Sequence, residues 1–177
     1  MIETGRLLLR RWRAADAAPF LAMGRDPRVM EYLGEPMTRS EVDAAMTRQN
    51  GFIDAQGHGF WAIERRTDGA FLGFCGIKPG ATGTPIEGRI EIGWRLAADH
   101  WGQGLAREGA QASLDWGWAN LAVDDIWAIT VIGNSRSWGL MERLGMTRRP
   151  ELDFDHPQAG LAERLRPHIT YAIERPR

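Results

Sequence analysis

Two glycines, Gly102 and Gly104, stand between a run that alternates like a strand and a run that repeats like a helix. This turn limits what the chain can fold into. Upstream, Arg89 to Leu96 places Ile90, Ile92 and Trp94 on one face and Glu91, Gly93 and Arg95 on the other. Downstream, Ala110, Leu114, Trp118 and Leu121 recur at helical spacing. A strand that turns through glycines straight into a helix leaves backbone N–H groups without partners at the positive end of the helix dipole, which suits a phosphate or pyrophosphate. Glycine lets the backbone approach such a ligand with no Cβ in the way. The two common phosphate fingerprints do not fit. A dinucleotide turn needs a third glycine where Arg107 stands, and a P-loop needs a Gly-Lys-Ser/Thr ending. The ordinary alternative is a plain strand-to-helix turn.

The rest of the chain supplies strands and helices in alternation. Leu7 to Trp12 reads as a strand and Ala14 to Met23 as a short helix, with Pro19 confined to its first turn. Asp26-Pro27 restarts the chain into a helical turn. Thr38-Arg39-Ser40-Glu41 is a capping box that opens a helix to about Asp54, with Val42, Ala45 and Met46 inward. Phe60 to Arg66 and Ala70 to Lys78 form a hairpin about Thr67-Asp68-Gly69. Pro79 to Gly88 is predicted to be a flexible loop. Asp125 to Ile132 is a strand, and Asn134 to Leu144 is a helix closed by Gly145. Thr147 to Leu152 and Ile169 to Glu174 are predicted to pair as a last hairpin. No repeat or linker interrupts residues 1–177, so one α/β domain is expected.

The turn Trp101-Gly102-Gln103-Gly104-Leu105-Ala106 resembles the acetyl-CoA pyrophosphate loop of the GNAT acetyltransferases, usually Gln/Arg-x-x-Gly-x-Gly/Ala. Gly104 and Ala106 match, and Trp101 stands where Gln or Arg is usual. That departure is similar to the Rim-type branch, which includes the ribosomal-protein N-terminal acetyltransferases. Asn134-Ser135-Arg136-Ser137 with Met141-Glu142-Arg143-Leu144-Gly145-Met146, and the opening Arg6-Leu7-Leu8-Leu9-Arg10, extend the resemblance over nearly the whole chain. It implies a mixed, mostly antiparallel sheet flanked by helices and splayed where acetyl-CoA enters.

Site residues follow from the same resemblance. Trp94, Arg95 and Leu96 would hold the thioester end of acetyl-CoA, and Trp101, Gly102, Gln103, Gly104, Leu105 and Ala106 its pyrophosphate. Asn134 would reach the pantetheine arm, with Trp138 on the cleft wall; as a sequence feature alone, Asn134 is equally an N-cap. Acetyl transfer to an amine needs a neutral nucleophile, and amines with pKa of ~8–10.4 need help to lose a proton. Glu91 is the candidate base, against the ordinary reading of a solvated strand carboxylate. Ser137 is the candidate partner of the departing sulfur, by protonation or polarisation, against an early-helix hydroxyl bonded to backbone. Direct attack in a ternary complex is favoured over an acetyl-cysteine, because a lone cysteine, Cys75, sits in a strand and reads as core.

Composition bounds the partners. Apolar residues at 44% and charged ones at 25% match a soluble domain. A net charge of −1 supplies no basic field for nucleic acid or a membrane surface. The histidines lack metal-ligand spacing, so no metal is assigned. The start lacks a signal peptide's regions, so a cytoplasmic location is expected. Expected partners are acetyl-CoA and an amine acceptor, a peptide N-terminus or a small molecule, on a monomer or homodimer. A non-catalytic acyl-CoA-binding regulatory module and an interaction scaffold are the alternatives, and fold does not separate them. The long connection from Asp153 to His168 is expected over the acceptor side, with Asp153 and Asp155 attracting a cationic acceptor.

Overall fold

The computed structural model describes residues 1–176. Among the described residues, nine strands form one mixed, mostly antiparallel sheet. The first five, β1 (Ile2–Glu3), β2 (Leu7–Arg10), β3 (Phe60–Arg65), β4 (Phe71–Pro79) and β5 (Ile90–Leu96), are neighbours in chain order, each antiparallel to the last. β5 then lies parallel to β6 (Asp125–Val131). β9 (Pro167–Glu174) pairs antiparallel with β6 on one side. On its other side it pairs with β7 (Thr147–Arg148) and β8 (Phe154–Asp155).

Helices cover both faces. One face carries α4 (Leu105–Asn120) and α5 (Ser135–Arg143), and the other α1 (Ala17–Met23), α2 (Pro27–Met30) and α3 (Arg39–Gln56). Strand alternation sorts the side chains between them. Leu7, Leu9, Ile63, Cys75, Ile77, Ile92 and Ile126 point to Ala110 and Leu114 of α4 and Leu140 of α5, all buried. Ala62, with Phe74 partly buried beside it, points to Trp12, Phe20, Val42 and Met46. Two glycines bring α4 close to the sheet: a Cβ at Gly117 would lie 3.0 Å from both Ile77 Cδ1 and Ile126 Cδ1, and one at Gly109 3.6 Å from Cys75 Cβ. Their cost in helix propensity is thus offset by packing.

The local stops and starts are those the sequence predicts. Thr38 and Glu41 form the capping box of α3, and Gly57 ends that helix in the left-handed conformation at φ 81°. Gly145 follows α5 at φ 83°. Pro19 lies in the first turn of α1, after a short 3-10 turn at Ala14–Asp16. That turn is fixed by a buried ion pair: Arg10 donates to both carboxylate oxygens of Asp16 at 2.8 Å and to Glu64 at 2.6 Å.

Two expectations are corrected. The last hairpin is much shorter than predicted. Thr147 and Arg148 pair with Ala172 and Tyr171, then Pro150 starts a 3-10 turn and the chain rejoins the sheet only at Phe154. Proline has no N–H for the ladder, so the strand breaks there. The 79–88 connection is not a loose loop. Ile86 is fully buried against Trp127 and Ala172, and Gly80 N–H donates to Arg89 O at 2.8 Å. Among the described residues, no helix is long and apolar enough to cross a membrane, and no group of three or more His, Cys, Asp or Glu side chains could hold a metal.

A pair of alanine substitutions tests this packing. A Cβ at Gly76 would sit 2.1 Å from the Gly59 carbonyl oxygen, so Gly76→Ala is expected to cost about 3 kcal/mol. Gly51, inside α3, has nothing within 4 Å of its Cβ position, and Gly51→Ala should gain about 0.5–1 kcal/mol. Denaturant midpoints measure both, and equal effects at the two positions would contradict the packing.

Candidate active site

The site begins where β5 loses one neighbour. On the β4 side its pairing is continuous, from Pro79 opposite Ile90 to Gly73 opposite Leu96. On the β6 side there is one register pair, Glu91 opposite Trp127. Beyond it the strands part, and the edge of β5 from Ile92 to Leu96 has backbone groups facing a gap rather than a strand.

The glycine turn closes one end of that gap. After a 3-10 turn at Ala98–His100, the Trp101 indole N–H donates to Leu96 O at 2.9 Å and ties the turn to the end of β5. Gly102 and Gly104 have φ of 73° and 75°. A Cβ at Gly102 would have open space, and one at Gly104 would meet only Arg6 Nη2 at 3.6 Å. Glycine is therefore demanded here by the backbone angle more than by room. Arg6 braces the turn, donating to Gln103 O at 2.9 Å and to Glu108 at 2.6 Å. Gly104 is the N-cap of α4 with no side-chain cap, and the N–H groups of residues 102–107 have no hydrogen-bond partner among the described residues. Leu105 itself is buried in the core, so only its backbone can serve a ligand; Ala106 is half-buried.

The start of α5 faces the same gap. Asn134 Oδ1 accepts from Ser137 N–H at 3.3 Å, an N-cap, and the half-buried Ser137 hydroxyl makes no hydrogen bond among the described residues. Trp138 donates its indole N–H to Ile132 O at 3.1 Å. Arg136 lays its guanidinium over the Trp101 ring, 4.9 Å from the centroid, so α5 and the glycine turn meet across the opening. Tyr32 reaches the same place: a Cβ at Gly133 would lie 3.1 Å from its ring. Sequence reasoning passed over Tyr32 because it lies about a hundred residues away, in a stretch without a motif. Trp94 is half-buried on the α4 face.

Glu91, Gly93 and Arg95 occupy the other face of β5, and all three are half-buried. Glu91 is ion-paired with Lys78, both side chains largely buried. Burial pushes the Glu91 carboxyl above the ordinary range, while the Lys78 charge and hydrogen bond and the Ala81 N–H pull the other way. Gly93 has a ring in place of a side chain: a Cβ there would be 2.6 Å from Phe60. The Arg95 side chain turns away from the gap between β5 and β6 into a cavity of about 540 Å³ roofed by α3. Neither Asp153 nor Asp155 lines this cavity; Asp153 is paired with Arg148. The connection that carries them does cross this side. Pro157 approaches Gly83, Leu161 approaches Gly34, and Arg164 donates to Glu31 O at 2.9 Å. Cys75 is fully buried and its thiol is pushed up to about 12, which leaves no thiolate for acyl transfer.

Comparison with known proteins bears on the fold that carries this geometry. The profile of the acetyltransferase (GNAT) domain matches residues 6–147. An uncharacterized N-acetyltransferase, p20, of Bacillus licheniformis is 30% identical over 92% of this chain and 91% of its own. An acetyltransferase crystal structure from Agrobacterium tumefaciens superposes with a TM-score of 0.79 at 25% identity, covering 98% of this chain and 93% of its own. A ribosomal L7/L12 α-N-protein acetyltransferase in complex with coenzyme A superposes with a TM-score of 0.75 over 97% of this chain and 95% of its own. At 14% identity, that is a likeness of fold alone.

Gly104→Val tests the turn. A β-branched residue at φ 75° is strained, so the turn must rearrange and the ligand-facing N–H groups scatter. Losing two charge-assisted hydrogen bonds at ~1.5–3 kcal/mol each should weaken coenzyme A binding roughly 10²–10⁴-fold. Calorimetry on the folded variant reads this, and unchanged affinity would remove the turn from the cofactor site.

Proposed function

The chain belongs to the GNAT acetyltransferase family, and from that premise we propose that it transfers the acetyl group of acetyl-CoA to the primary amine of a small molecule, by direct attack in a ternary complex. The observation that carries this reading is the position of Glu91. It lies at the one register pair that joins β5 to β6, where the strands begin to part, and its Lys78 partner lines the cavity on the other face. A cavity of about 540 Å³ is the size of small-molecule sites. In this reading the pyrophosphate sits on the N–H groups of residues 102–107, and the pantetheine arm runs along the open edge of β5 toward Glu91.

The chemistry then divides among this chain's residues. Glu91 takes the proton of the attacking amine, directly or through water. Lys78 keeps that carboxylate ionised inside the protein, while burial makes it more basic than an exposed glutamate. Nitrogen attacks the thioester carbon, and the oxyanion that forms is met by N–H groups on the unpaired edge of β5. The carbon–sulfur bond breaks and the thiolate leaves beside the Ser137 hydroxyl, which donates a hydrogen bond or its proton. The motif from Asn134 to Met146, with Trp101 in the turn, supports a place near the Rim-type branch.

Steady-state kinetics test the roles. Glu91→Gln should lower kcat on the order of a hundredfold with little change in KM for acetyl-CoA, and Ser137→Ala should lower it by a smaller factor. Wild-type kcat in both variants would move the proton path elsewhere. Lys78→Met should act through pH. Removing the cation raises the Glu91 pKa further, so the acid limb of kcat/KM moves to higher pH and the loss is largest in acid. A limb that stays in place would sever Lys78 from Glu91's titration.

A further inference from the structure

Arg95 is a charge with nothing to neutralise it. Its Nε is withdrawn from solvent and has no hydrogen-bond partner. Its one polar contact among the described residues is a weak one, from Nη1 to Met37 Sδ at 3.5 Å, and its guanidinium lies 5.3 Å from the centre of the Phe74 ring. Arg10, which is buried, is by contrast paired with two carboxylates. Desolvation alone lowers Arg95 to about 10, which still leaves it cationic at neutral pH. Arg95 is half-buried, yet its Nε lies out of water with no acceptor, and an unsatisfied buried polar atom calls for a partner.

The cavity it enters says what that partner is. Its walls include the rings of Phe20, Phe52, Phe60 and Phe74, with Phe60 and Phe74 stacked at 5.4 Å. Its charged lining is Arg95, Lys78 and Arg48, with no carboxylate. Lys78 is matched by Glu91, and Arg48, exposed on α3, has no ion pair among the described residues. The balance is two uncompensated guanidiniums above aromatic walls. Such a site repels a polycation and favours a ring-sized apolar body carrying a carboxylate, which a planar guanidinium holds through two parallel hydrogen bonds.

We propose that this cavity is the acceptor site and that Arg95 receives the carboxylate of an apolar amino acid-like amine. The acceptor half rests on the acetyl-transfer reading above; the anion half does not. It also replaces the expectation of a cationic acceptor drawn to Asp153 and Asp155.

Two measurements separate the halves. In the first, 3-phenylpropionate and its amide are titrated into the full chain saturated with coenzyme A. The acid should bind at least tenfold more tightly than the amide, Arg95→Gln should abolish the difference, and Arg95→Lys should keep part of it. Equal affinities in the unaltered protein would overturn the anion site, whether or not the variants fold; a preference that persists in Arg95→Gln would also overturn it. In the second, phenylalanine and phenylalanine amide are offered with acetyl-CoA. A KM at least tenfold lower for the acid, rising in Arg95→Gln with KM for acetyl-CoA unchanged, supports the acceptor assignment. Better turnover of the amide overturns it. Acetylation of neither, with the acid still bound preferentially, removes the acceptor role and leaves the anion site standing.

Discussion

The parting of β5 from β6 is the constraint on which the rest depends. The two strands are parallel and consecutive, so the chain between them must cross the sheet, and α4 is that crossing. Because α4 starts at the end of β5, its unpartnered N–H groups lie at the head of the gap. Because α5 follows β6, its capped start lies on the other bank. A β5 paired along its full length on both sides would have no free edge, and the glycine turn and Ser137 would face a closed sheet.

The two faces of β5 have different chemistry for the same reason. Toward α4, Ile92 and Leu96 are core. Toward α3, the positions that alternate with them carry a carboxylate, a glycine and an arginine, which meet Lys78, the Phe60 ring and the Phe74 ring in turn. Two arginines of this side divide the labour. Arg10, matched by Asp16 and Glu64, fixes the start of the helical arm against the sheet. Arg95, unmatched, holds the cavity's charge open.

What was legible in the sequence was local. The glycine turn, the Thr38 box, the closing glycines and the strand alternation are each decided by a few adjacent residues, and they place the fold well. What was not legible depends on pairing across the sheet. Glu91 reads as solvated because its alternation is polar; Lys78 joins it only through the β4–β5 register, thirteen residues apart in the chain. Tyr32 meets Gly133, and Arg136 meets Trp101, with no local signal at either end. The α3 roof is mostly polar in sequence, so nothing in it announces the rings it covers.

The Lys78–Glu91 pair has one more consequence. Lys78 is the only lysine in the chain, every other permanent side-chain cation being arginine. Guanidinium keeps its proton at all physiological pH and is a poor nucleophile, whereas a free lysine amine attacks thioesters slowly without any catalyst. A protein that carries an activated acyl group beside its own surface is exposed to modifying itself. Here the one lysine amine is held in a largely buried ion pair with Glu91. On the acetyl-transfer reading proposed above, that pairing keeps the lysine protonated and withdraws it as a nucleophile from the activated acyl group.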